Sequence, residues 1–377
     1  MPNVNALGII SFTGPSIFVK GISNYRPMAA FSYVGRYRLV DIPISNMTNS
    51  GLQNIEVYTN GNPKVLFDHI GSARHYNINN KHGHISIIPV MATGREAEYV
   101  SDLAAYYNNL HEITDNTNDY VIIAPVNWVY KANYSDLLAQ HIDSKADVSV
   151  LKKHFDSTEI PMYLLNANLL VHNAGKLTGI TPYIGQSDAV LDVSLDTYIM
   201  SKEKFVELVN MAHDYSPLFT MTEMLTCLLG QDKIKINEIS YTNPVFPILD
   251  INSYFNSNME MLQERNMAFF NDPNWPIYTR TNDSPPTIYL GNGTAESALI
   301  SNGCEISGTV TDSILGRGVK VGAGAIVTNC LILPGVEVGE NVMLTNLIVD
   351  KDAKLIHKTE ISGYESEPLY IGRREIM

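Results

Sequence analysis

The chain is poor in cysteine, tryptophan and charge. Its three cysteines, Cys227, Cys304 and Cys330, lie far apart, in no Cys-x-x-Cys spacing and with no partner histidine. This pattern argues against a disulfide framework or a thiolate metal site and leaves three reduced, mostly buried thiols. No apolar run approaches the ~18 residues needed to span a bilayer. No basic segment precedes an apolar core at the N-terminus, so no signal peptide is expected. Lysine and arginine (26) are outnumbered by aspartate and glutamate (39), for a net charge of −13. Nucleic acid and anionic membrane both need clustered cations, so neither is expected as a partner. The same deficit sits awkwardly with tight binding of a polyanionic nucleotide. The expectation is a cytoplasmic protein with neither a nucleic-acid nor a membrane partner.

A chain of 377 residues, 45% apolar, is too long for one ordinary core and reads as two globular domains. Over residues 1–240, short apolar strands (4–12, 54–59, 84–90, 120–125, 147–151, 193–200) alternate with amphipathic helices at 101–111, 135–143 and 201–212. Ser201 is a plausible N-cap, Thr220-x-x-Glu223 is a capping box, and Gly230 closes the helix that follows. This alternation predicts an α/β fold with a doubly wound, mostly parallel, Rossmann-like sheet. Residues 241–286 are expected to connect it to a second domain at 287–377.

There a repeat of 17 residues begins. Ile314, Leu331 and Ile348 superimpose, as do Val319, Val336 and Ala353, and Val321, Val338 and Leu355; Gly322 matches Gly339 and Asn329 matches Asn346. One aliphatic residue per short flat strand, with Gly or Asn at corners, is the pattern of a parallel β-helix with three flats per turn. Some β-helix acyltransferases use a histidine projecting from the prism, but no histidine occurs between 214 and 356.

The segment Gly35-Arg-Tyr-Arg-Leu-Val-Asp-Ile-Pro-Ile-Ser-Asn-Met-Thr-Asn-Ser-Gly51 resembles the stretch after the phosphate-binding loop of glucose-1-phosphate adenylyltransferases. Asp68-His-Ile-Gly71, Trp275-Pro-Ile-Tyr-Thr279 and the β-helix extend the resemblance over nearly the whole chain. It implies a nucleotidyltransferase domain followed by a left-handed β-helix. An adenylyltransferase positions and neutralises phosphates with backbone N–H groups, cations and Mg²⁺ held on carboxylates. Here those parts depart from the family pattern. The Gly-rich loop becomes Phe12-Thr-Gly-Pro-Ser-Ile-Phe18, with no basic residue before Lys20. The Lys-Pro-Ala-Val stretch becomes Arg26-Pro-Met-Ala-Ala30. The Gly-Thr-Ala-Asp-Ala turn becomes Ser101-Asp-Leu-Ala-Ala105. Asn127 takes the place of the Asp in Gly-Asp-His-Ile-Tyr-Lys, and Pro247 that of the Asp in Trp-x-Asp-Val-Gly-Thr. No Glu-Lys-Pro motif occurs between 172 and 192.

The resemblance therefore implies a catalytically impaired, regulatory, GlgD-type subunit of a bacterial adenylyltransferase of glycogen synthesis. Such a chain would assemble with a catalytic homologue, as a heterotetramer, and would hold no metal; Mg²⁺ and ATP would belong to the partner. Arg38 and His69 match positions that touch a small anionic effector in the family, and Arg280 lies in the same neighbourhood; Arg38 could equally pair with Asp41. Two alternatives stay open. One is an active nucleotide-sugar pyrophosphorylase whose metal site is rearranged onto Asp102 or Asp250. The other is a binding module without a stable partner.

Overall fold

The computed structural model describes residues 4–12, 17–78, 83–90, 100–156, 164–185 and 190–377. No helix among them is long and apolar enough to cross a membrane. The run Ala6–Ser11 (β1), apolar up to its closing serine, is buried along its whole length, as a central strand covered on both faces must be. It pairs in parallel with Asn54–Asn60 (β2), which pairs in parallel with His84–Val90 (β3). On its other side it pairs in parallel with Tyr120–Pro125 (β4).

Beyond β4, antiparallel strands join the mostly parallel sheet the sequence suggested. It gains Val148–Asp156 (β5), Asn168–Asn173 (β6), Lys176–Pro182 (β7), Val190–Ser201 (β8) and Ile236–Tyr241 (β9). β8 runs antiparallel to β4, β5 and β6, and β7 antiparallel to β6; β9 is parallel to β5. The nine-stranded sheet is mixed. A parallel return needs a crossover of a dozen or more residues, usually a helix. The described chain between β5 and β8 offers a hairpin instead.

Alternation along β1 sends Leu7 and Ile9 to one face and Ala6 and Ile10 to the other. The first face is covered by Asp102–Asn108 (α3), Lys202–Tyr215 (α6) and Met221–Gly230 (α7), through Tyr106, Phe205, Leu208 and Met224. The second is covered by Asp41–Asn49 (α1), Lys64–Ile70 (α2) and Tyr134–Ser144 (α5). Ser201 and Thr220 cap α6 and α7, the latter with the full Thr220–Glu223 box. Helix α1 is buried at every residue, polar ones included. Its Asn46 accepts from Trp275 Nε1 at 2.9 Å, Asn49 Nδ2 donates to Pro276 O, and Tyr278 N donates to Ser45 Oγ. The two segments that the sequence paired by resemblance are thus bound to each other.

Residues 241–286 are a packed wedge. They carry Ile251–Met259 (α8) and Glu264–Phe270 (α9). Tyr254, Phe255 and Phe270 share one core with Ile314, Leu331 and Ile348 of the repeat domain. That domain begins its rungs at Ile288–Tyr289. All its strand pairings are parallel, Lys320 to Glu337 to Lys354 on one flat and Val310 to Val327 to Leu344 to Ile361 on another. Asn329 and Asn346 turn the corner with φ of 49° and 56°, a conformation asparagine tolerates. They stack, Asn329 Nδ2 donating to Asn346 Oδ1 at 2.7 Å and Asn346 Nδ2 to Gly363 O at 3.1 Å. Gly35 seats the first domain on this prism. Its φ is +68°, and a Cβ there would lie 2.6 Å from Ser301 Oγ and 2.9 Å from Leu315 O.

Candidate functional site

Open α/β sheets bind ligands beyond the carboxyl ends of their strands. At those ends of β1 and β4 lies a pocket of about 440 Å³, reached by Ser11, Phe12, Pro125 and Asn127. The starts of α3 and α7 close it from the side with Ser101, Asp102, Thr220, Thr222 and Glu223, and the hairpin side adds Asn166, Asn168, Asp196 and Tyr198. Among the described residues that line it there are three carboxylates and no lysine, arginine or histidine.

Two helix N-termini meet at this pocket, the usual place to receive a phosphate. Both are already occupied by the chain's own acids. Asp102 Oδ1 accepts from Leu103 N at 2.8 Å and from Met221 N, the first residue of α7, at 3.0 Å. Glu223 Oε2 accepts from Thr220 N at 2.8 Å and from Thr220 Oγ1 at 2.9 Å. Asp196 is held by an irregularity in β8, where the register against β5 shifts between Ser194 and Tyr198 and Asp196 takes φ of 47°. Bulges of this kind re-aim side chains beside functional sites. Asn168 Nδ2 donates to Asp196 Oδ1 at 2.7 Å.

Burial pushes both the Asp102 and the Asp196 carboxyl up to about 6, against the hydrogen bonds they accept. A carboxyl raised on folding contributes stability that is complete below its unfolded value of 3.8 and is lost as the pH rises through about 6. At neutral pH the two half-buried charges therefore oppose folding. Asp196→Asn is expected to stabilise the chain by on the order of 1–2 kcal/mol at pH ~7.5 and by much less at pH ~4. Urea unfolding at the two pH values reads this, and an equal effect at both would remove the electrostatic cause.

The two positions where the resemblance puts metal carboxylates do come together. Trp128–Val129, just after β4, pairs with Phe246–Pro247, with Pro247 opposite Trp128, and Ile248 N donates to Asn127 O at 2.7 Å. Neither residue can supply a charged ligand. Asp250 does not replace them. It is the N-cap of α8, accepting from Ser253 N and Ser253 Oγ at 2.7 Å each, and it is absent from the pocket lining. Asp102 does line the pocket, but Asp102, Asp196 and Glu223 are not within mutual ligand distance; the metal-like cluster among the described residues is His172, Asp192 and Glu238, on the far strands of the sheet. A divalent cation in a phosphate site needs converging anionic oxygens. The residues present do not fit one. Of the altered phosphate loop, Thr13–Ser16 lie outside the described residues, as do 186–189 of the stretch without Glu-Lys-Pro.

The three effector candidates are also gathered into one neighbourhood, each with a partner inside the chain. Arg38 donates from Nη1 to Ala30 O (2.8 Å) and Ser32 Oγ (3.1 Å), and its backbone N donates to Asp41 Oδ2. His69 Nε2 lies 2.7 Å from Asp41 Oδ1, which Tyr76 also reaches. Arg280 donates to the carbonyl of Asp68. The Arg38–Asp41 link weighed from the sequence is thus real, but it runs through the backbone. Reasoning from sequence missed several residues here. Arg317 and Arg36 line a cleft of about 280 Å³ between the two domains. Lys351 is pushed down to about 6, first by burial and then by Arg38 and Arg26. His75, pushed down by burial, has a buried Nε2 without a hydrogen-bond partner among the described residues. Nothing local in the sequence marks Lys351 or Arg317, because only the packing of the prism brings them to Arg38.

A nucleotidyl transferase family profile matches residues 19–159, and a profile of the GlmU-like C-terminal hexapeptide matches residues 289–368. The glucose-1-phosphate adenylyltransferase of Thermotoga neapolitana is 27% identical over 334 residues, 87% of this chain and 77% of its own. The glycogen biosynthesis protein GlgD of Bacillus subtilis is 28% identical over 371 residues, 98% of this chain and 96% of its own. That of Geobacillus stearothermophilus is 28% identical over 86% of this chain and 83% of its own. The parallel rungs with their hexapeptide match are those of a left-handed β-helix. The chain is a nucleotidyl transferase domain joined to a hexapeptide β-helix, homologous over most of its length to glucose-1-phosphate adenylyltransferases and GlgD proteins.

Proposed function

We propose that this chain is a regulatory, catalytically impaired subunit of a glucose-1-phosphate adenylyltransferase in glycogen biosynthesis. In this reading it acts by assembly with a catalytic homologue, in a heterotetramer, and works in the cytoplasm. The observation that carries it is the pocket at the strand ends. Three carboxylates line it, its helix N-termini are self-capped, and Asn127 and Pro247 stand where the family resemblance puts metal ligands. Mg²⁺ and ATP then belong to the partner's site. The domain junction supports an anionic effector there. Burial and neighbouring cations depress Arg38, Arg317 and Lys351 together, and an anion would relieve that repulsion. Arg38, His69, Arg280, Arg317 and Lys351 are the residues proposed to meet it. Regulation would follow from an effector or interface that favours one conformation of the assembly.

The test is co-expression with the adenylyltransferase from the same source. The two chains are expected to co-purify, and the mixture to differ from the catalytic chain alone in rate or effector response. Separate elution with unaltered kinetics would refute the subunit reading.

A further inference from the structure

The pocket at the strand ends has volume and a polar lining although it does not suit phosphates or a metal. About 440 Å³ falls within the ~300–1,000 Å³ of small-molecule sites. Asn127 lines it and is 2% exposed, and its Nδ2 donor has no hydrogen-bond partner among the described residues. A buried donor left unsatisfied is costly and calls for an acceptor. The carboxylates call for the reverse. Among the described residues, Leu103 N and Met221 N donate to Asp102 Oδ1, and Thr220 N and Oγ1 to Glu223 Oε2, so each carboxylate keeps acceptor capacity for a further donor. A bare cation or ammonium group offers the Asn127 Nδ2 donor no acceptor. A phosphate would satisfy Asn127 but would face Asp102, Asp196 and Glu223 with no countercharge among the described lining residues. A hydroxyl both donates and accepts, and therefore meets both demands. Asn166 and Asn168 add amides that also do both, while Phe12, Ile17, Val100, Ile123 and Ile180 give apolar walls for C–H faces.

We propose that this pocket binds an uncharged polyhydroxy ligand, a hexose or the end of a short oligosaccharide, and discriminates against its phosphorylated form. The chain then senses free carbohydrate in a cavity that in working relatives would serve chemistry. The inference rests on the pocket alone and holds whether or not the chain assembles with a homologue.

The experiment is calorimetric titration of the full-length chain with D-glucose, maltose, glucose 1-phosphate and ATP at neutral pH. Saturable binding of glucose or maltose is expected, with glucose 1-phosphate at least about tenfold weaker, because it brings charge toward three carboxylates. Maltose tighter than glucose identifies a chain end as the ligand; the opposite order identifies the free sugar. Asn127→Ala is expected to weaken the sugar about tenfold, the usual cost of leaving a ligand hydroxyl unpaired. Asn127 is buried, so Asn166→Gly is the second variant. Asn166 is exposed with φ of 70°, which glycine accepts without strain, and its loss should weaken the sugar several-fold with an unchanged melting midpoint. Glucose 1-phosphate binding as tightly as glucose, or no sugar heat at up to about 50 mM, where even a ~10 mM site would fill, overturns the proposal. So does affinity indifferent to both variants.

Discussion

Purified alone, the chain is expected to form ADP-glucose at less than about 10⁻³ of the rate of a catalytic homologue. Replacing one metal-bearing carboxylate by an amide costs on the order of 4 kcal/mol of transition-state stabilisation, which is ~10³ in rate. Here Asn127 directly precedes the strand Trp128–Val129 that pairs with Phe246–Pro247, and Ile248 N donates to its carbonyl, so the two losses fall side by side. Asn127→Asp by itself should recover nothing measurable. It would place a buried charge beside Pro247, in a pocket that already carries Asp102 and Asp196 with carboxyls raised by burial, and no cation lines the pocket among the described residues to offset it. The measurement is diphosphate release with ATP, Mg²⁺ and glucose 1-phosphate at matched protein concentrations. Turnover within tenfold of the homologue would mean that the carboxylates at the helix starts carry the chemistry after all, and Asp102→Asn would then have to abolish it.

Much of this architecture was legible before any coordinates. The helices at 134–144, 202–215 and 221–230 follow from their apolar spacing and caps, with Ser201 and Thr220 doing what their side chains favour at a helix start. The 17-residue repeat fixed the rungs, because each coil must place the same residue type at the same corner; Asn329 over Asn346 is the visible result. The direction of the strands after β4 was not legible. β8 alternates apolar and polar residues over Leu191–Asp196 and is apolar at Tyr198–Met200, a mixed pattern that does not fix its direction, which follows the hairpin before it. The site was legible in part. Asn127 and Pro247 could be singled out by resemblance. Asp196 could not, since its placement depends on a two-residue register shift in β8 and on Asn168 in the neighbouring strand. Asp250, kept only as an alternative metal carrier, has a local role instead: an aspartate before a helix is first of all a cap.

Cutting the ion pair between Arg26 and Asp350 is expected to be the most destabilising single change in the molecule. Arg26 belongs to the first domain and Asp350 to the β-helix, and their side chains are 5% and 0% exposed. The guanidinium reaches both carboxylate oxygens, while Tyr370 Oη (2.8 Å) and Lys351 N (2.7 Å) donate to the same group. Asp350→Ala leaves Arg26 buried with no countercharge, beside Arg38 and Lys351, which already repel it. Breaking a buried pair in this way costs about 3–5 kcal/mol, while replacing both partners with apolar groups of similar size is often neutral. Urea unfolding should therefore show the loss in Asp350→Ala and most of it recovered in Arg26→Met with Asp350→Leu. If the single variant lost less than about 1 kcal/mol, the pair would be as weak as an exposed one. The same comparison bears on regulation. Arg26 and Arg38 lie together at the domain junction with Lys351, so an anion arriving there competes with Asp350 for the guanidinium. In the proposed regulatory reading, an effector bound at this junction would change how firmly the β-helix is held, and through it the surface offered to the proposed partner.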